Sequence, residues 1–311
     1  MKKIIYTCLI STSALINLYA EQTVRIITEG KLLDTHQEKE LKRELSKILE
    51  KYSPDKTPVH IEITPSYKNS TAVLDEIYQG ISGFNVDASD TQKVTQAGGN
   101  PTYGEVTPGA VNKLKDEFKF SSQDTLYDLG CGVGKLLSQA FIETPIKTCI
   151  GVELSAGRVK NAHGAKKRLD HIVKHKSHVL EPEVHQNLTA KNRKLEFRHE
   201  DITKINWREA FDTVSRGGRV FIWICSTCFS QELQNNLAQI FGQLAADSKR
   251  DFPEHVGNII ILTLKDFPRH DNGDKKLQNE LLDKHFLLDK KHNLDMTWSS
   301  NVTVHQYSLK K

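Results

Sequence analysis

The stretch DLGCGVGK, Asp128 to Lys135, constrains this chain more than any other. An apolar run enters an acid, Gly130, Gly132 and Gly134 then alternate with other residues, and a helical pattern follows in KLLSQA. Glycines there allow a tight turn and a close approach of ligand to backbone, while the helix start offers free N–H groups. Strand, glycine turn and helix in this order predict a parallel α/β sheet. Leu136 after Lys135 excludes a phosphate-binding Walker loop, which needs Ser or Thr there. Asp128 at the head of the turn would repel a pyrophosphate and suits a cationic ligand group.

Two more acids stand at strand ends. TCIGVE ends on Glu153, able to accept from paired ribose hydroxyls. LEFRHEDI closes on Asp201, able to accept from an adenine amino group, with Ile202 placed to pack on the ring. Any one of these acids is ordinary at a strand end. Three on consecutive strands predict a class I S-adenosylmethionine-dependent methyltransferase fold, with Asp128 facing the cofactor's cationic amino-acid end.

The rest of the chain fits that frame. From Thr107 onward, strands near 125–130, 148–153, 194–200, 219–225 and 257–264 alternate with helical segments, and MTWSS with VTVHQYSL reads as a terminal hairpin. The expected architecture is a mostly parallel, seven-stranded, Rossmann-like sheet over 100–311. A small N-terminal α+β unit over 21–99 precedes it, with strands at TVRIIT and VHIEIT around a helix that carries Leu41, Leu45, Ile48 and Leu49 on one stripe. Residues 84–106 read as a long polar loop. Residues 1–20, with two lysines, an uncharged apolar run and Ala20, have the layout of a secretory signal peptide, which predicts export. No later apolar run is long enough for a membrane span.

Inside the polar loop sits TYGE, 102–105, and with the glycine turn and GVE it resembles the disruptor-of-telomeric-silencing (DOT-one) family. These are histone-lysine N-methyltransferases without a SET domain. The resemblance implies that Tyr103 and Glu105 close over the methionine end of S-adenosylmethionine. It also implies that Asp128, Gly130, Gly132 and Lys135 contact the cofactor at the glycine turn, Glu153 at the ribose, and Asp201 with Ile202 at the adenine. Lys135 replaces the family's Gln.

The resemblance covers about 100–308 and thins toward the reacting centre. Where the family has Asn-Asn-Phe-Ala-Phe-Gly, this chain has CSTCFS, so Cys225 and Ser226 replace the Asn pair. Tyr103, Trp223, Cys225, Ser226, Phe229 and Trp298 are the residues expected around that centre, with Trp223, Phe229 and Trp298 lining an apolar lysine channel. His305 or Tyr307 takes the place of the family's paired tyrosines. The implied substrate is a histone or nucleosome. Methylation of a small molecule or another protein, or non-catalytic cofactor or chromatin binding, are the alternatives. Simple core packing is the competing role for each aromatic residue.

Two other patterns compete for attention. WICSTCF places Cys225 and Cys228 as a Cys-x-x-Cys after a strand, where a helix start would lower the Cys225 thiol pKa. His171 and His175 lie one helical turn apart, but they sit in a basic segment and no metal site is read there. That segment, Arg158 to Lys176, holds seven Lys or Arg against one acid, Asp170. A basic face of this kind predicts sequence-independent DNA contact through phosphates.

Overall fold

A computed structural model describes residues 5–8, 14–18, 23–28, 35–52, 60–65, 68–255, 257–267 and 280–310. The leader-like features Lys2, Lys3 and Ala20 lie outside the described residues. In the N-terminal part, β1 (Ile5–Cys8), β2 (Ala14–Leu18), β3 (Thr23–Thr28) and β4 (His60–Pro65) form one sheet in that order, with α1 (Thr35–Tyr52) between β3 and β4. β1, β2 and β3 pair antiparallel, and β3 pairs parallel with β4.

The remaining elements build the larger unit. They are α2 (Ser70–Tyr78), α3 (Ala88–Gln96), α4 (Pro108–Phe118), β5 (Thr125–Leu129), α5 (Lys135–Glu143), β6 (Thr148–Glu153), α6 (Ala156–Lys176), α7 (Pro182–Thr189) and β7 (Lys194–His199). After these come α8 (Arg208–Val214), β8 (Val220–Ile224), α9 (Gln231–Asp251), β9 (Ile259–Thr263), α10 (Glu280–His285), β10 (Phe286–Met296) and β11 (Ser299–Leu309). Seven strands form a sheet of order β10-β11-β9-β8-β5-β6-β7. β5 to β9 run parallel, and β11 is antiparallel to both of its neighbours. This is the class I methyltransferase arrangement predicted from the sequence.

Helices cover both faces of the sheet, which buries every residue of β5, β6 and β8, as parallel strands require. One core joins Val73 and Ile77 of α2 to Val111 and Leu114 of α4, Leu137 of α5 and Ile172 of α6. The other joins Val214 of α8 to Leu237 and Phe241 of α9 and Tyr307 of β11. α2 therefore packs with the large unit. Chain order along the sheet reverses between β5 and β8, and a crevice opens beyond their carboxyl ends, where ligands bind in such folds.

Two sequence expectations change. Residues 84–106 contain α3, whose polar sequence shows no helical stripe because its inward face is only Asp90 and Val94. The terminal hairpin begins earlier, at Phe286, and its turn is Thr297–Trp298, so MTWSS spans the turn. β10 is an edge strand laden with Asp, Lys and His, which hid its alternation. Among the described residues, no helix is long and apolar enough to cross a membrane.

Candidate cofactor and methyl-transfer site

The glycine turn forms because three residues take a left-handed backbone: Gly130, Gly132 and Gly134 have φ of 87°, 57° and 82°. Gly130 N–H and Cys131 N–H donate to the Val152 carbonyl, which fixes the turn against β6. Tyr78 of α2 supports it from behind, its hydroxyl donating to the Val133 carbonyl at 3.1 Å. A cavity of about 300 Å³ opens in front. Asp128, Gly130, Gly132, Lys135, Glu153, Asp201 and Ile202 line it, together with Tyr103, Glu105, Trp223, Cys225, Phe229 and Trp298.

The acids are held differently. Glu153 accepts from Gly132 N–H and Ser155 N–H, both at 2.9 Å, so it is anchored with lone pairs to spare. Asp201 accepts from the backbone and hydroxyl of Thr203, at 2.9 and 2.8 Å. Asp128 is 5% exposed and has no hydrogen-bond or ion-pair partner among the described residues. Burial, and then the charge of Glu153, push its carboxyl up to about 8. A buried carboxyl with no protein partner, on the wall of a cavity cradled by glycines, fits the ammonium of S-adenosylmethionine.

That carboxyl sets a pH dependence. Below about 8 the ligand-free site holds a proton on Asp128. A cation beside it favours the ionised form, so binding expels the proton. Affinity for S-adenosylhomocysteine is therefore expected to rise from pH 6 and level off near pH 8, with proton release visible by calorimetry in buffers of different ionisation heat. The folded-state pKa lies above the unfolded value of about 3.9, so Asp128 favours the fold most below pH 4 and that contribution fades toward pH 8.

The Tyr-Gly-Glu loop also lines the cavity. Tyr103 Oη donates to Glu105 Oε1 at 2.6 Å, and Lys135 Nζ donates to Glu105 Oε2 at 2.7 Å. Glu105 thus ties its own loop to the first turn of α5. Lys135, in place of the family's Gln, makes that tie an ion pair. The hairpin turn holds the loop from outside: Glu105 N–H donates to Thr297 Oγ1, Thr297 N–H donates to the Glu105 carbonyl, and Val106 bridges Met296. Trp298 packs so closely on Gly104 that a Cβ there would lie 2.2 Å from its ring.

Several expectations are corrected at the reacting centre. Ser226 does not line the cavity; its hydroxyl bonds Thr263 Oγ1 at 2.7 Å and accepts from Lys265 N–H, tying the end of β8 to β9. Tyr307 is buried on β11, bonds Asp266 and accepts from Phe267 N–H, and neither it nor His305 reaches the cavity. The Cys225 thiol is pushed up to about 12 by burial and by Asp128 and Cys228, the reverse of the predicted lowering. A neutral thiol at that position makes a poor redox nucleophile, and both cysteines are free. The basic segment is also partly internal. Arg158 is buried, Arg168 donates to the Ile77 and Gln79 carbonyls, and Lys176 pairs with Glu76 at 3.0 Å. Lys160, Lys167 and Lys174 remain exposed.

Arg158, Tyr78 and Thr297 were not singled out as site residues from sequence, since nothing local marks a residue whose partners lie in other elements. Arg158 alone had a signal: it is the basic residue nearest Glu153 in the chain.

Comparison with known proteins adds the following. The family model described as histone methylation protein DOT1 matches residues 85–250, over half of the 311 residues. The histone-lysine N-methyltransferase, H3 lysine-79 specific, of Drosophila melanogaster is 41% identical over 51 residues, which is 16% of this chain and 3% of that protein. Among solved structures, an RNA methyltransferase from Salinibacter ruber in complex with S-adenosyl-L-homocysteine is 16% identical, over 66% of this chain and 93% of that one, with TM-score 0.37. Magnesium protoporphyrin IX methyltransferase from Synechocystis PCC 6803, with S-adenosylhomocysteine bound, is 14% identical over 77% of this chain and 94% of its own, with TM-score 0.35.

Proposed function

This chain belongs to the DOT1 family of histone methylation proteins, and from that premise we propose that it transfers a methyl group from S-adenosylmethionine to a lysine amine, with a histone as its substrate. The observation that carries this reading is Asp128, a buried acid without a protein partner, set in one cavity with Glu153, Asp201 and the Tyr103–Glu105 loop. When bound, S-adenosylmethionine supplies a methyl group on a sulfonium, open to in-line displacement.

The protein's part is placement and exclusion of water. Asp128 would accept from the cofactor's ammonium end, Glu153 from the ribose hydroxyls and Asp201 from the adenine amino group, with Ile202 available to the ring. Tyr103, Glu105 and Lys135, bonded to one another, would hold the loop over the cofactor's methionine end. Trp223, Phe229 and Trp298 offer apolar walls to the incoming side chain. A free lysine has a pKa of about 10.4, and an apolar wall disfavours its ammonium, so the lysine enters as the amine once its proton has passed to solvent.

The test is label transfer from radiolabelled S-adenosylmethionine to free core histones and to nucleosomes, with Asp128→Ala as the blank. Label on a core histone that is absent in the blank is the expected result. S-adenosylhomocysteine binding without label on any histone would overturn the histone reading. It would favour another protein, a small molecule or a binding role instead, a reading motivated by Cys225 and Ser226 in place of the family's Asn pair.

Two finer points belong to the same proposal. Exposed Lys160, Lys167 and Lys174 suit phosphate contact, which would make nucleosome binding weaken steeply with salt. The layout of residues 1–20 supports export, and with it a host's chromatin as the target. Protein recovered outside the producing cell should then start at Glu21, whereas protein that stays inside with Met1 and the β1 and β2 residues retained would rule export out.

A further inference from the structure

Beside the loop that carries Tyr103, on the wall of the cavity, lies a buried cation whose partners are all neutral. Arg158, in the first turn of α6, is 5% exposed. Its Nε donates to the Gly83 carbonyl at 3.0 Å, its Nη2 donates to the Pro101 carbonyl at 2.5 Å, and its guanidinium carbon lies 4.8 Å from the Tyr103 ring centroid. No carboxylate pairs with it among the described residues. Burying a cation without a counter-charge is costly, so two carbonyls and a ring face must hold it in place.

The positions of those partners are informative. Gly83 and Pro101 are the two ends of the excursion that carries α3, and Tyr103 follows the second end by two residues. The middle of the excursion is fastened to the same helix start: Asp90 accepts from Ser155 Oγ at 2.8 Å and from Gly157 N–H at 2.9 Å. Residues 155–158 therefore grip the excursion at both ends and at its centre. Only Leu154 separates them from Glu153, which lines the cavity. Space is tight as well, because a Cβ on Gly83 would lie 2.1 Å from the Tyr103 ring.

We propose that Arg158 is a positioning residue for the transfer reaction, a latch that joins Gly83 to Pro101 and backs the Tyr103 ring so that the Tyr103–Glu105 loop stays closed on the cofactor. This rests on the cofactor reading given above. The planar fork of Arg reaches two carbonyls while facing a ring; the ammonium of Lys is a point donor and does only part of this. Loss of the latch leaves the acids that bind the cofactor intact and lets the loop open, so cofactor release should quicken.

The experiment measures S-adenosylhomocysteine dissociation by stopped flow from the full chain and from three variants. Arg158→Met keeps the apolar stem, and Arg158→Lys keeps the charge. Leu169→Ala weakens the core under the same helix, away from the cavity. Arg158→Met should release ligand at least about tenfold faster, with Arg158→Lys between it and the wild type. Leu169→Ala should melt at a lower temperature yet release at nearly the wild-type rate. In turnover, KM for S-adenosylmethionine should rise while KM for the protein substrate holds.

Release from Arg158→Met at the wild-type rate, or quickened equally in Leu169→Ala, would overturn the latch and leave the cofactor reading standing. If Arg158→Met does not fold, Arg158→Lys decides, and wild-type release from it overturns the latch. A wild-type chain that binds no S-adenosylhomocysteine would sink the cofactor reading and the latch with it.

Discussion

Asp128→Asn is expected to yield a protein that folds as well as the wild type at pH 8 and binds almost no cofactor. The substitution keeps the side chain's shape and removes a carboxyl that burial and Glu153 already disfavour as an anion. Removing one partner of a buried charge pair costs about 3–5 kcal/mol, so S-adenosylhomocysteine affinity should fall by roughly two to four orders of magnitude. Stability moves differently. At pH 8 the ligand-free wild type begins to carry an unpaired buried charge, and the variant does not. Its ligand-free Tm should equal or exceed that of the wild type, and the rise in Tm on adding ligand should vanish. Affinity within about tenfold of the wild type would show that Asp128 does not hold the ligand's cation.

Gly132→Ala should be nearly as damaging by a different route. The residue sits at φ 57°, where an L side chain costs about 1–2 kcal/mol, and its Cβ would lie 2.5 Å from Cε2 of Tyr103. The ring must move, and the Tyr103–Glu105–Lys135 network moves with it. The N–H that anchors Glu153 belongs to the same residue, so Glu153 is disturbed along with the loop. We expect at least a roughly 30-fold loss of cofactor affinity with a Tm drop of several degrees, given the strain above. Gly109→Ala is the matched control: it lies in α4 with nothing within 4 Å of its Cβ, and should be neutral or stabilise by about 0.5–1 kcal/mol. Calorimetry and melting curves on both variants check the contrast.

The parts of the site that were legible in sequence are those whose meaning is local. Asp128 and Glu153 announce themselves because a strand end is recognisable from the residues beside it, and the glycine turn because its backbone admits few alternatives. Tyr103 and Glu105 were legible only through resemblance; by composition their neighbourhood is an ordinary turn. What holds that loop was not legible. Arg158 meets Pro101 across 57 residues and Glu105 meets Thr297 across 192, and no periodicity links such pairs. α3 escaped notice because its buried face includes an acid, Asp90, in place of a second apolar residue. Ser226 was misplaced because adjacent residues at the end of β8 diverge: Cys225 faces the cavity, while Ser226 bonds across to Thr263.

The fastening of Glu105 to Thr297 also sets a timetable for the nascent chain. The ribosome adds the turn that clamps the loop 192 residues after the loop itself, which at about 5–20 residues per second is a delay of about 10–40 s. Through the second half of that interval the glycine turn and all three strand-end acids have been synthesised, but the clamp has not. A newly made chain is therefore born with its ligand crevice ajar, and it gains a firm hold on the cofactor only when its downstream hairpin arrives.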